Sequence, residues 1–161
     1  MRMRKLLPLA LVALAASIAA AQTSKKETSM SHASGPFDVK LTPEDHFALD
    51  PSISKMAIAK NFHGDLEATS VGQMLSAMGS VKGSAGYVAI EKVTGTLQGR
   101  KGTFVLQHNA TMDRGKPELN IIVVPDSGTG ELEGLKGTMH IDIAAGGKHS
   151  YKFDYMLPEK Q

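Results

Sequence analysis

The stretch that decides the fold is Tyr87-Val88-Ala89-Ile90-Glu91-Lys92-Val93-Thr94-Gly95-Thr96-Leu97-Gln98-Gly99-Arg100-Lys101-Gly102-Thr103-Phe104-Val105-Leu106-Gln107-His108-Asn109-Ala110-Thr111-Met112. On either side of its glycines, apolar and polar residues mostly alternate, the period of a strand and not of a helix. Two strands are read from it, Tyr87–Leu97 and Thr103–Met112, joined by a turn at Gly99-Arg100-Lys101-Gly102. A turn this short makes the pair antiparallel, because parallel neighbours need a long crossover.

The same pattern continues outward. Downstream, Asp113-Arg114-Gly115 turns the chain into Glu118–Val124. A Gly-rich loop leads to Thr138–Ala144, and Gly146-Gly147-Lys148 turns it into Ser150–Leu157. Upstream, Phe37–Leu41, His46–Leu49 and Lys55–Phe62 read as strands. Val71, Met74, Leu75 and Met78 have helical spacing, and Ser70 with Gln73 fits a capping box. Gly72 and Gly79 would each weaken such a helix by about 1 kcal/mol, so the pattern leaves helix and strand open for 71–78. A meander of this kind loses its unpaired edges by closing. The expected fold is all-β, a single antiparallel β-barrel of about eight strands. An interior of that size is filled by side chains or holds one small ligand.

Alternation also sorts faces. In Thr103–Met112 the more apolar set is Phe104, Leu106, His108, Ala110 and Met112, which is expected inside. Tyr151, Phe153, Tyr155 and Leu157 share a face, as do Met139, Ile141 and Ile143, leaving His140 and Asp142 to solvent. Glu91 and Lys92 point opposite ways, so one of them faces inward unless a bulge intervenes. An inward charge needs a partner. Beside His108, Glu91 would make a carboxylate–imidazole pair able to orient a ligand or move a proton. The plainer reading makes His108 a satisfied core histidine and Glu91 its structural partner. Glu118–Val124 is apolar on both faces, with Leu119, Ile121 and Val123 opposite Ile122 and Val124. Such a strand is expected to be covered on both, by the N-terminal segment or, preferentially, by a second subunit.

The N-terminus reads as an address. Met1–Lys5 is basic, Leu6–Ala16 is apolar but for Pro8, and Ala19-x-Ala21 supplies the small residues of a cleavage site. The apolar run is shorter than the roughly 20 residues that span hydrocarbon. Residues 1–21 are therefore expected to be an export signal cleaved before Gln22, with a periplasmic or extracellular destination. Residues 22–35 are expected to be a flexible polar tether and 36–158 the barrel domain. The signal changes the meaning of the composition. The 161-residue chain has 18 Lys plus Arg, 16 Asp plus Glu and a formal net charge of +2; without Arg2, Arg4 and Lys5 the basic count falls to 15 and the net charge to −1. A near-neutral domain argues against a nucleic-acid partner, and no membrane association is expected after cleavage. The absence of Cys excludes disulfides, thiolate sites and cysteine nucleophiles.

Several motifs fail on spacing. Gly128, Gly130 and Gly134 give G-x-G-x-x-x-G with no P-loop Lys-Ser/Thr. Asp126-Ser127-Gly128 lacks a nucleophile elbow and a placeable His–Asp partner. The six His (32, 46, 63, 108, 140 and 149) are scattered, so no metal or cofactor is expected.

Four segments carry a resemblance: Glu91 to His108, Val123-Val124-Pro125-Asp126-Ser127-Gly128-Thr129-Gly130-Glu131-Leu132-Glu133-Gly134-Leu135-Lys136-Gly137, His63-Gly64-Asp65-Leu66-Glu67, and His149-x-Tyr151-x-Phe153-Asp154-Tyr155. Over about Gly35 to Leu157 the chain resembles domain-of-unknown-function family 3224. The resemblance implies a barrel similar to the allene oxide cyclase and dirigent barrels, inclines 71–78 to strand, and carries no activity with it. Lys92 stands where the family commonly has Arg, which removes a bidentate fork. Asp126 stands where Gly is common, which suggests a turn there that does not need Gly.

The expected function is that of an exported barrel binding a small, largely apolar ligand, with Tyr87, Glu91, Phe104, Leu106, His108, Phe153 and Tyr155 lining the site. One alternative is an isomerase or cyclase-type enzyme using Glu91 and His108, which requires them within hydrogen-bond reach of each other or of a ligand. Another is a packed structural or interaction module that pairs with copies of itself as a homo-oligomer, with no cavity and an apolar outer patch.

Overall fold

The computed structural model describes residues 29–44 and 50–158. The expected export signal at 1–21, residues 22–28 of the expected tether and the strand expected at His46–Leu49 lie outside the described residues. Nine strands follow one another: β1 (Ser31–Pro43), β2 (Ile53–Phe62), β3 (Leu66–Met78), β4 (Ala85–Leu97), β5 (Arg100–Asp113), β6 (Lys116–Val123), β7 (Thr129–Gly130), β8 (Lys136–Ile143) and β9 (His149–Met156). All pairings are antiparallel, in the order β4-β3-β2-β1-β9-β8-β6-β5, and β4 pairs with β5 to close an eight-stranded ring. The two-residue β7 takes no place of its own in the ring; it continues along β5 beyond the end of β6, with Gly102 and Thr103 opposite Gly130 and Thr129.

The strands are staggered, as closure requires. β1 pairs with β9 through Ser31–Phe37 and with β2 through Phe37–Pro43, so Phe37 marks the crossing from one neighbour to the other. β1 starts at Ser31, inside the stretch expected to be tether. Ser31–Gly35 is polar, but its backbone has a complete partner in Tyr151–Tyr155 of β9. The shortest seam joins β6 to β8, where only Ile121↔Met139 and Ile122↔Thr138 are paired.

Residues 71–78 belong to β3, which is laddered to β2 over 68–77 on one side and to β4 over 66–78 on the other. Tertiary pairing outweighs the helical spacing, and Gly72 has a use in the sheet that it would lack in a helix. It faces Glu91 across the β3–β4 ladder. A Cβ there would lie 2.4 Å from the Ile90 carbonyl oxygen and 2.9 Å from Glu91 Cα. The missing side chain lets the two strands approach closely at that point.

The β4–β5 turn is tighter than the sequence suggests. Leu97 pairs with Arg100, leaving Gln98 and Gly99 as its two central residues, at φ 44° and 83°. That is the double positive-φ signature of a primed hairpin turn, whose twist matches that of the strands. Arg100, Lys101 and Gly102, expected in the turn, belong to β5.

The barrel has a packed end and an open end. At the packed end Phe62, Leu66, Leu97, Phe104 and Phe153 are buried. Phe104 stacks on Phe153 with centroids 5.8 Å apart, and Phe153 on Tyr155 at 5.3 Å. The turn between β7 and β8 inserts Leu132 and Leu135, both fully buried, as a plug. Each contributes roughly 1.5–3 kcal/mol of burial. At the open end the inward parity runs past its cover: Met112 is 41% and Ile143 66% exposed. Both were expected inside, and both lie where the strand ends project beyond the packed interior. Phe104, Leu106, His108 and Ala110 are buried, as their alternation requires.

Candidate ligand-binding site

The register settles Glu91 against Lys92. In β4, Ala89, Glu91, Val93 and Leu97 are buried, while Val88, Ile90, Lys92 and Thr94 are exposed. The alternation is unbroken by a bulge. Glu91 is therefore inside, 0% exposed, and Lys92 is on the outer wall.

Three other strands bring partners to it. β2 turns Ile58, Lys60 and Phe62 inward; β3 contributes Ser70 and β5 His108. Lys60 Nζ donates to Glu91 Oε2 at 2.6 Å, and the Ser70 hydroxyl donates to Oε1. His108 Nε2 lies 2.9 Å from the same Oε2. It is not aligned as a ring N–H donor would be, but at this distance its polar contact still favours the Glu91 carboxylate. The Lys60 ammonium also lies over two aromatic faces, 5.4 Å from the Phe37 centroid and 5.7 Å from that of Phe62.

The electrostatics follow from this geometry. Burial alone would raise the Glu91 carboxyl. The His108 ring nitrogen, the Lys60 charge and hydrogen bond, and the Ser70 hydroxyl outweigh burial and hold it at about 2. Burial and then the charge of Glu91 push the Tyr87 hydroxyl upward. The cluster thus holds a carboxylate and an ammonium together in the interior, an arrangement tolerable only because each partner satisfies the other.

Above the cluster the interior is not filled. A cavity of about 310 Å³ opens at the unplugged end. Lys60 and His108 form its polar corner; Phe37, Ile58, Met74, Leu119 and Ile141 form much of its apolar wall, with Tyr87, Ile143 and His149 also on its border. Such a volume lies at the lower end of the range of small-molecule pockets, and an apolar wall with few polar groups is the composition they have.

The expected site residues divide. Glu91, His108 and Tyr87 come together at or beneath the cavity. Phe104, Leu106, Phe153 and Tyr155 belong to the packed core and do not border it. Sequence reasoning missed Lys60 and Ser70. The signal for Lys60 was its parity with Ile58 and Phe62, overridden by the rule that Lys stays outside unless paired. Ser70 stood at the edge of the segment whose period was ambiguous.

The comparisons come from two sides. A family model described as "Protein of unknown function (DUF3224)" matches residues 33–155. A crystal structure of a protein with unknown function from the DUF3224 family of Shewanella oneidensis MR-1 is 52% identical. The match covers 82% of this chain and 100% of that one, with a TM-score of 0.76. No curated protein matches this chain.

Proposed function

The chain belongs to the DUF3224 family, described only as of unknown function, and from that premise we propose that it is a binding protein that holds one small, largely apolar molecule in its open-ended interior. The observation that carries this reading is the cavity of about 310 Å³, walled by apolar side chains and ending on a buried Lys60–Glu91–His108 cluster. A barrel that served only as a packed module would have no reason to leave a cavity at one end while plugging the other with Leu132 and Leu135.

An enzymatic reading has one observation in its favour, the 2.9 Å approach of His108 to Glu91. The carboxyl of Glu91, held at about 2, weighs against it. A general base works best when its pKa lies near the operating pH, and this one is too acidic to take a proton near neutrality. Binding is the reading that the chemistry favours.

The proposed setting is outside the cytoplasm, on the strength of the basic start, the apolar run and the Ala19-x-Ala21 cleavage pattern. Native mass spectrometry of the mature protein purified from its own host tests the binding function. The expected result is a population carrying the added mass of one small molecule. Only apo mass, together with a collapsed interior in a crystal structure, would overturn it.

A further inference from the structure

Resting on the reading of the interior as a ligand site, we propose that the polar end of the occupant is an uncharged carbonyl group. It accepts hydrogen bonds from His108 Nε2 and Lys60 Nζ, while the apolar body extends towards Leu119 and Ile143 at the mouth.

The first argument is a count of donors and acceptors. Both oxygens of Glu91 are engaged, Oε1 by Ser70 and Oε2 by Lys60. The donors are not used up. An ammonium has three N–H groups, and Lys60 places one on Glu91. The His108 side chain is 3% exposed and its Nε2 lies 2.9 Å from Glu91 Oε2, but it has no aligned hydrogen bond among the described residues. In the tautomer carrying its proton on Nε2, the imidazole offers a second donor at the cavity border. The polar corner therefore asks for an acceptor. Glu91 does not border the cavity, so an alcohol or amine would bring its own O–H or N–H to a corner that Lys60 and His108 line, and an unpaired buried donor is costly.

The second argument is charge. Lys60 and Glu91 form an ion pair at this corner, so the ammonium is already matched by a carboxylate. A carboxylate ligand would add an uncompensated negative charge beside Glu91, out of water, where it is heavily penalised. A carbonyl oxygen accepts the same two hydrogen bonds without that penalty. The third argument is size. The cavity of about 310 Å³ is about twice the ~150 Å³ that holds a benzene, which fits a body of about two fused six-membered rings.

The test uses three probes of one shape: α-tetralone, tetralin and the tetralin carboxylate, titrated calorimetrically into the full mature protein. The ketone is expected to bind roughly 3- to 10-fold more tightly than the hydrocarbon, the worth of one or two net hydrogen bonds, and the carboxylate more weakly than either. His108→Leu is expected to shrink the ratio of ketone to hydrocarbon affinity, both measured in that variant, while leaving the share that Lys60 Nζ supplies. His108→Gln, which keeps an N–H donor, is expected to retain part of the preference. Equal binding of ketone and hydrocarbon by the unaltered protein would overturn the carbonyl assignment and leave the cavity reading standing. Tightest binding of the carboxylate would overturn it in favour of an anion. Failure of all three probes to bind would overturn both readings. If His108→Leu does not fold, the probe series on the unaltered protein and His108→Gln still decides.

Discussion

Lys60 Nζ and Glu91 Oε2 lie 2.6 Å apart inside the barrel, with side chains 6% and 0% exposed, on strands β2 and β4 that are separated by β3. The pair reaches across β3 at Gly72 and Ser70, the one position without a side chain and the one with a hydroxyl to give. Its place in the barrel is where packed core gives way to cavity.

Breaking this pair from one side leaves the other charge buried and alone. Glu91→Met and Lys60→Met are each expected to destabilise the fold by about 3–5 kcal/mol, the usual cost of an orphaned buried ion. The double variant Lys60→Met/Glu91→Met removes both charges and is expected to lose much less than the sum. Urea denaturation of the four proteins gives the coupling directly. Additive losses would mean that the two charges do not depend on one another.

Acid stability follows with a definite sign. The folded Glu91 carboxyl is held at about 2, below its ordinary 4.5. A depressed carboxyl adds stability above its unfolded value and loses it as the pH falls through the folded one. A loss on the order of 3 kcal/mol is therefore expected between about pH 5 and pH 2. Glu44 and Asp50 are also held low, but both are at the surface and add little. The pH-dependent part of the loss is expected to shrink in Lys60→Met/Glu91→Met. An unchanged acid transition in that variant would assign it to other carboxylates.

Tyr151 ties β9 to the β2–β3 corner. Its hydroxyl accepts from the Leu66 N–H at 2.8 Å and donates to the His63 carbonyl at 3.1 Å. Burial pushes the phenol up to about 12 against the lowering effect of the Leu66 bond. Tyr151→Phe leaves the buried Leu66 N–H unsatisfied and is expected to cost about 1–3 kcal/mol. Thermal unfolding followed by circular dichroism measures it, and an unchanged midpoint would show that the bond is dispensable.

The loop after β6 makes its first turn with Asp126, without Gly, but at a backbone cost: Asp126 adopts φ 59°, in the left-handed region. Asp tolerates that region better than most residues but not as freely as Gly. Asp126→Gly is expected to stabilise the fold by about 0.5–1 kcal/mol, the left-handed strain relieved less the added unfolded-state freedom. A destabilised variant in urea would mean that the Asp126 side chain contributes more than its backbone costs.

Much of the barrel was legible because its strands alternate and its turns carry Gly. Phe104, Leu106, His108, Tyr151 and Phe153 could be placed inside from period alone, and the choice between Glu91 and Lys92 could be stated as a necessity before it was settled. What settled it was long-range register, in which Val93 and Leu97 anchor the inward face; no local pattern contains that. Lys60 escaped because a buried ammonium is explicable only with Glu91 beside it, 31 positions along the chain. The division into a plugged and an open end was equally hidden. It depends on Leu132 and Leu135 folding back from a loop whose sequence reads only as Gly-rich and irregular. Phe153 and Tyr155, expected at the ligand, belong instead to the plugged end for that reason.

The most direct test of the cavity as a ligand site is methyl NMR of the mature protein during titration with tetralin. The account predicts saturable shifts at Ile58, Met74, Leu119 and Ile141, which border the cavity. Leu132 and Leu135 in the plug and Val71 and Ile90 on the outer wall are expected to stay still. Shifts confined to Val71 and Ile90, or none at saturating probe, would contradict it.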